Sequence, residues 1–151
     1  MILADTNILL RLAQSDHPHH SSARDAVRLL TTRDREQFCI APQTIYEMYV
    51  VCTRPVSQNG LGLNAARARV EIARMRSIFA LVGETEEVFS RWESLTTTYA
   101  VEGKSAHDTH LVAFMLVNRI GRLLSFNDAH FMRYVEISAL NPFHVLGIAR
   151  Q

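Results

Sequence analysis

Apolar residues in this chain alternate between short solid runs and longer stretches with helical spacing. Met1 to Ala4 is the first run, closed by the polar triplet Asp5-Thr6-Asn7, and it predicts a short buried strand. Phe38 to Ala41, Ile78 to Val82, Arg122 to Phe126 and Val135 to Leu140 predict four more strands. Between them a short helix is expected near Ile8 to Ala13, and a second from His19 to Thr32. Pro42 suits the first turn of a third helix, and Pro55 stops that helix near Thr53. Residues 54–63 form the clearest loop, after which Asn64 caps a helix carrying Arg67, Arg69, Arg74 and Arg76. A helix from Glu84 to Tyr99 places Glu84, Glu86 and Glu87 in its first turn, where acids are favoured. Another runs from Ser105 to Asn118, with Gly121 as its stop, and a single turn spans Asp128 to Phe131. Strands alternating with helices predict an α/β fold with a mostly parallel sheet.

Composition narrows the class without deciding it. A length of 151 residues is about one domain. The apolar share of 48% and charged share of 21% are ordinary for a globular chain. The most apolar stretch, Leu111 to Val117, falls far short of the ~20 residues that a membrane span needs. Asp5 interrupts the first apolar run and no basic segment precedes it, so no secretory leader is expected. Cys39 and Cys52 sit in apolar surroundings and read as small core residues, which suits a reducing cytoplasm. The net charge of +1 is far below that of a non-specific binder of long duplexes. All sixteen basic residues except Lys104 are arginine, either a compositional bias or a means of gripping phosphates bidentately.

Candidate chemistry rests on the acids. Asp5 follows a buried strand, and in open α/β sheets ligands bind beyond the carboxyl ends of strands. It could equally cap the next helix, unless Asn7 is the cap and leaves Asp5 to the cleft. Asp108 shares a helix face with Leu111, Val112 and Met115, so it requires a partner. Its rival reading is a capping box that begins at Ser105. Glu47 is almost the only charge between Gln43 and Cys52. Asn127 and Asp128 follow a further strand end, as site residues or as helix caps. Widely separated acids at element ends suit a hard cation such as Mg²⁺ or Mn²⁺. With water as nucleophile, the combination points to metal-assisted phosphodiester hydrolysis.

At four stretches the chain resembles PIN-domain ribonucleases, specifically the VapC-type toxins of bacterial toxin–antitoxin pairs. They are Asp5-Thr-Asn; Pro42-Gln-Thr-Ile-Tyr-Glu47 with Thr53-Arg54; Ser105-Ala-His-Asp108; and Leu123-Leu-Ser-Phe-Asn127 with Phe131. The resemblance implies a three-layer α/β/α sandwich whose acids bind one or two Mg²⁺ or Mn²⁺ ions. Asp5, Glu47 and Asp108 match the family's acidic positions, and Asn127 matches a fourth that in many members is Asp. Asp128 is displaced from that position by one residue. Asn7 and Ser125 match positions that orient the ligands or the attacking water. The implied reaction cleaves single-stranded RNA, leaving a 5′-phosphate and a 3′-hydroxyl. A homodimer and a small antitoxin partner are implied as well.

The same motifs would serve a PIN nuclease of RNA processing outside any toxin pair, or an inactive module that only binds RNA or protein. A haloacid-dehalogenase-like phosphatase needs a second Asp where Asn7 stands. Arg67 with Arg74, and Arg69 with Arg76, are seven residues apart. Each pair lines one side of its helix, as a solvated face or as phosphate contacts. His107, His110 and His130 read as structural or rim residues, since this chemistry needs no catalytic histidine.

Overall fold

A strand that sends alternate side chains to opposite faces can be wholly apolar only if both faces are covered. The computed structural model describes residues 1–149. In it β1 (Ile2–Ala4), β2 (Phe38–Ile40), β3 (Ala80–Leu81), β4 (Arg122–Leu124) and β5 (Ser138–Leu140) pair in parallel, in the order β3-β2-β1-β4-β5. Leu3 lies level with Cys39 on one side and Leu123 on the other, and Leu124 with Leu140. From one face Ile2, Ala4, Phe38, Ile40 and Leu124 pack against α1 (Thr6–Ala13), α2 (His20–Thr32), α3 (Pro42–Thr53) and α4 (Ala65–Ile78). Ile8, Leu9, Leu30, Met48 and Met75 are their buried partners. From the opposite face Leu3, Cys39 and Leu123 meet α5 (Glu87–Thr98) and α6 (Ser105–Val117) through Val88, Leu95, Leu111 and Met115. The fold is the expected three-layer α/β/α sandwich.

Several boundaries differ from the sequence reading. The first helix begins at Thr6, because Asp5 rather than Asn7 takes the capping position. Ile78 stays in α4 and is exposed, and Phe79 ends that helix by donating its N–H to Met75 O at 2.9 Å, leaving β3 only two residues long. Of the three acids expected in the first turn of α5 only Glu87 is there, and Glu84 lies before the helix against His110. The capping box at Ser105 does not form: α6 starts at Ser105 itself, and Lys104 makes no side-chain cap. Val135 is exposed, so β5 is confined to Ser138–Leu140. A seventh helix, α7 (Pro142–Leu146), is too short to show periodicity in sequence. Its start is nonetheless signalled by Asn141, whose side chain accepts from Phe143 N at 3.0 Å, and by Pro142 in its first turn. Among the described residues no helix is long and apolar enough to cross a membrane.

Leu123 is fully buried on β4, between β1 and β5. Leu123→Ala should lower the unfolding free energy by about 2–5 kcal/mol, read from denaturant midpoints at an unchanged slope. A loss below about 1 kcal/mol would contradict the packing described.

Candidate active site

The chain leaves β1 toward β2 on one side and later returns to β4 on the other, so the β1–β4 junction is a topological switch point. Crevices in open parallel sheets form there. Asp5 follows β1 and Ser125 follows β4, and Asp5 N still donates to Leu124 O at 3.0 Å. Asp5 is buried, and each of its oxygens is held. Oδ1 accepts from Thr6 N at 2.7 Å, while Oδ2 accepts from Ser125 Oγ at 2.5 Å and Asn7 Nδ2 at 2.7 Å. Asn7 Nδ2 also reaches Ser125 Oγ at 3.0 Å, and its Oδ1 accepts from Phe126 N at 3.0 Å. Asp5 is therefore both the cap of α1 and a carboxylate fixed at the switch point.

Glu47 enters from α3. Its Oε2 accepts from Thr6 Oγ1 and its Oε1 from Gln43 Nε2, both at 2.7 Å. Gln43 lies one turn earlier and also donates to His107 O at 3.0 Å, which ties α3 to the start of α6. Gln43 Oε1 pairs with His110 Nδ1 at 2.6 Å, and His110 Nε2 with Glu84 at 2.9 Å. Asp108, on the first turns of α6, has His130 Nδ1 at 3.5 Å from its Oδ2. Thr6, Gln43 and His130 were not identified as site residues from sequence. Thr6 sits inside the Asp-Thr-Asn motif and Gln43 four residues before Glu47, but nothing in the pattern assigns their partners.

Burial, opposed by the bonds from Ser125 and Thr6, pushes the Asp5 carboxyl up to about 6, and the charges of Glu47 and Asp108 push the same way. Burial also raises Asp108, with Glu47 adding to the shift and His130 opposing it. Asp5 and Asp108 thus each feel the charge of Glu47. Among the described residues, however, no three His, Cys, Asp or Glu side chains stand close enough to form a ready-made cage.

Asn127 is exposed at the crevice rim, its backbone N donating to Ser125 Oγ at 2.9 Å. Asp128 is buried, and its Oδ1 accepts from Asn141 Nδ2 at 2.8 Å. Of the α4 arginines, Arg74 is taken up by Glu71 at 2.8 Å and by Leu12 O at 2.9 Å. Leu12 is at the far end of α1, so that guanidinium lies ~10 Å along the helix from Asp5. Arg67 lines a separate cleft with Gln14, Asp16 and Glu71, and Arg69 and Arg76 face solvent.

Asp5 keeps its proton in the folded chain at pH values where the unfolded chain, near its ordinary 3.8, has lost it. The native state then binds more protons between about pH 4 and 6, so stability in EDTA should fall as pH rises through that window. For one group the fall is on the order of 2–3 kcal/mol. Ser125→Ala removes a donor to the ionised carboxylate, so it should move the Asp5 titration above 6, read by carbon-detected NMR. A downward movement would contradict the assigned hydrogen bond.

Comparison with known proteins fits this architecture. The PIN domain family model matches residues 2–137. No curated protein matches the sequence. Among solved structures, VapBC2 from Rickettsia felis, bound to a DNA fragment from its promoter, is similar at 14% identity and TM-score 0.70, covering 93% of this chain and 98% of that one. VapBC-1 from nontypeable Haemophilus influenzae is similar at 16% identity and TM-score 0.68, over 94% and 98%. VapC20 from Mycobacterium tuberculosis, described as a sarcin–ricin loop cleaving toxin, is similar at 18% identity and TM-score 0.62, over 91% and 98%. At these identities the likeness is one of fold. The family match spans most of the chain, and the protein belongs to the PIN domain family.

Proposed function

We propose that this chain is a metal-dependent endoribonuclease, the toxin of a VapBC-type toxin–antitoxin pair. The observation that carries this reading is the placement of Asp5, buried at the switch point with Oδ2 fixed by Ser125 and Asn7 and with Glu47 held beside it through Thr6. Burial raises its carboxyl, and the charges of Glu47 and Asp108 add to the shift. Carboxylates that destabilise one another are relieved by a cation, and an all-oxygen donor set suits Mg²⁺ or Mn²⁺. The donor chemistry therefore suits a hard divalent ion, although the three acids are not already gathered as a cage; Asp5, Glu47 and Asp108 would hold it, with Asn127 as a neutral fourth donor. Such an ion, when bound, supplies positive charge at the scissile phosphate and makes water a better nucleophile.

The chain's own groups act on the acids. Ser125 and Asn7 fix one oxygen of Asp5, and Thr6 and Gln43 fix one oxygen each of Glu47. Orientation of this kind is commonly worth 10–100-fold in activity. Water attacks phosphorus and the 3′-oxygen departs with a proton, leaving 5′-phosphate and 3′-hydroxyl ends on single-stranded RNA, transfer or ribosomal RNA among the candidates. Arg67, Arg69 and Arg76 are exposed and available to the RNA backbone.

The similar structures of toxin–antitoxin complexes support an antitoxin as partner. Exposed Tyr46 and Val50 on α3 support a homodimer. On this reading the chain is a single nuclease domain that acts on RNA in the cytoplasm.

Pure protein should cleave a mixed pool of structured and single-stranded RNAs with Mg²⁺ or Mn²⁺, stop in EDTA, and leave 5′-phosphate ends. Asp5→Asn should abolish cleavage, and Ser125→Ala should slow it by about 10–100-fold. Cleavage undiminished by EDTA and by Asp5→Asn would refute the reading. Binding without cleavage would favour an inactive module, and cleavage without toxicity on expression would favour RNA processing.

A further inference from the structure

Arg11, on α1 one and a half turns past Asp5, has no part in the chemistry above. Its Nη1 donates to Gln14 Oε1 at 2.6 Å. It is half-buried, burial lowers its pKa, and among the described residues no carboxylate lies within ion-pair distance of it. A cation withdrawn from water without a counter-charge is unfavourable unless something else supplies the anion. The guanidinium lines a cleft of about 310 Å³ together with Asn7 and Asn127. Asn7 is the residue that holds Asp5 Oδ2 at 2.7 Å, so the cleft and the acid cluster share a wall.

The rest of that cleft is aromatic. His19 stacks on Phe126 with ring centroids 5.1 Å apart and planes at 27°, and Phe143 meets both rings edge-on or nearly so. A cation for a phosphate beside a ring surface for a base is the combination by which proteins hold single-stranded nucleic acid. We propose that this cleft is a nucleotide subsite, in which Arg11 binds the RNA phosphate adjacent to the one being cut and the His19–Phe126 rings carry its base. The inference rests on the ribonuclease reading. RNA is favoured over an acidic protein segment because the cleft continues directly from the acids through Asn7.

Binding of a labelled single-stranded RNA dodecamer, measured in EDTA over a range of salt, tests the proposal without catalysis. The wild-type protein should bind with affinity that falls as salt rises. Arg11→Met should weaken binding roughly tenfold and lower the magnitude of the log–log salt slope by ~0.7, the loss of one single-strand phosphate contact. Arg11→Lys should keep the slope, because the charge remains. A scan of single methylphosphonate linkages should find one position that weakens wild-type binding and has no effect on Arg11→Met. That scan on wild type and on Arg11→Lys decides the matter if Arg11→Met melts early.

An unchanged salt slope in a folded Arg11→Met would overturn the subsite and leave the nuclease reading intact. Loss of binding to a polyglutamate peptide, with RNA binding unaffected, would assign the cleft to a protein partner instead. A wild-type protein that binds no RNA would overturn the subsite and the ribonuclease reading together.

Discussion

The hydrogen bonds around Asp5 are the constraint on which the rest depends. A carboxylate at the end of a buried strand has lost most of its water, and burial alone would drive it to the neutral form. Thr6 N, Ser125 Oγ and Asn7 Nδ2 resist that by donating to it from α1 and from the end of β4. The result is a carboxyl raised to about 6, with the hydrogen bonds opposing what burial does. The same bonds join β1 to β4 beyond the last sheet pairing, so the crevice is closed by the acid it displays.

The sandwich makes this possible by fixing where strand ends fall. Leu3 and Leu123 are level across the central pair and both fully buried, so Asp5 and Ser125 emerge side by side. Glu47 and Asp108 come from helices on opposite faces of the sheet, α3 and α6. Their convergence needs a bridge, which Gln43 provides by bonding Glu47, His107 O and His110 at once. One glutamine thereby couples the two helical layers at the mouth of the crevice.

The layer order was legible because parallel strands buried on both faces leave unbroken apolar runs, as Met1 to Ala4 and Phe38 to Ala41 show. Helix starts at Pro42 and Asn64 were legible from capping and ring chemistry. The boundaries that moved are those where several acids or hydroxyls compete for one end, as at Glu84 to Glu87 and at Ser105. Asp5, Glu47 and Asp108 could be nominated as a set, since each stands at an element end or in an apolar stretch. The side chains that position them could not. Thr6 and Gln43 earn their place through partners 41 and 64 residues away, and no local periodicity records such contacts. Arg11 was invisible for a different reason: its meaning lies in the absence of a carboxylate partner among the described residues, which only packing reveals.

Burial raises the Asp5 carboxyl to about 6, so a cation bound by the proposed acid set would compete with a proton there. Calorimetric titration of Mn²⁺ at pH 6 and at pH 8, each in two buffers of different ionisation enthalpy, tests it most directly. The expected result is release of roughly half a proton or more per ion at pH 6 and almost none at pH 8. Binding at pH 6 with no proton release, or no binding at either pH, would contradict it.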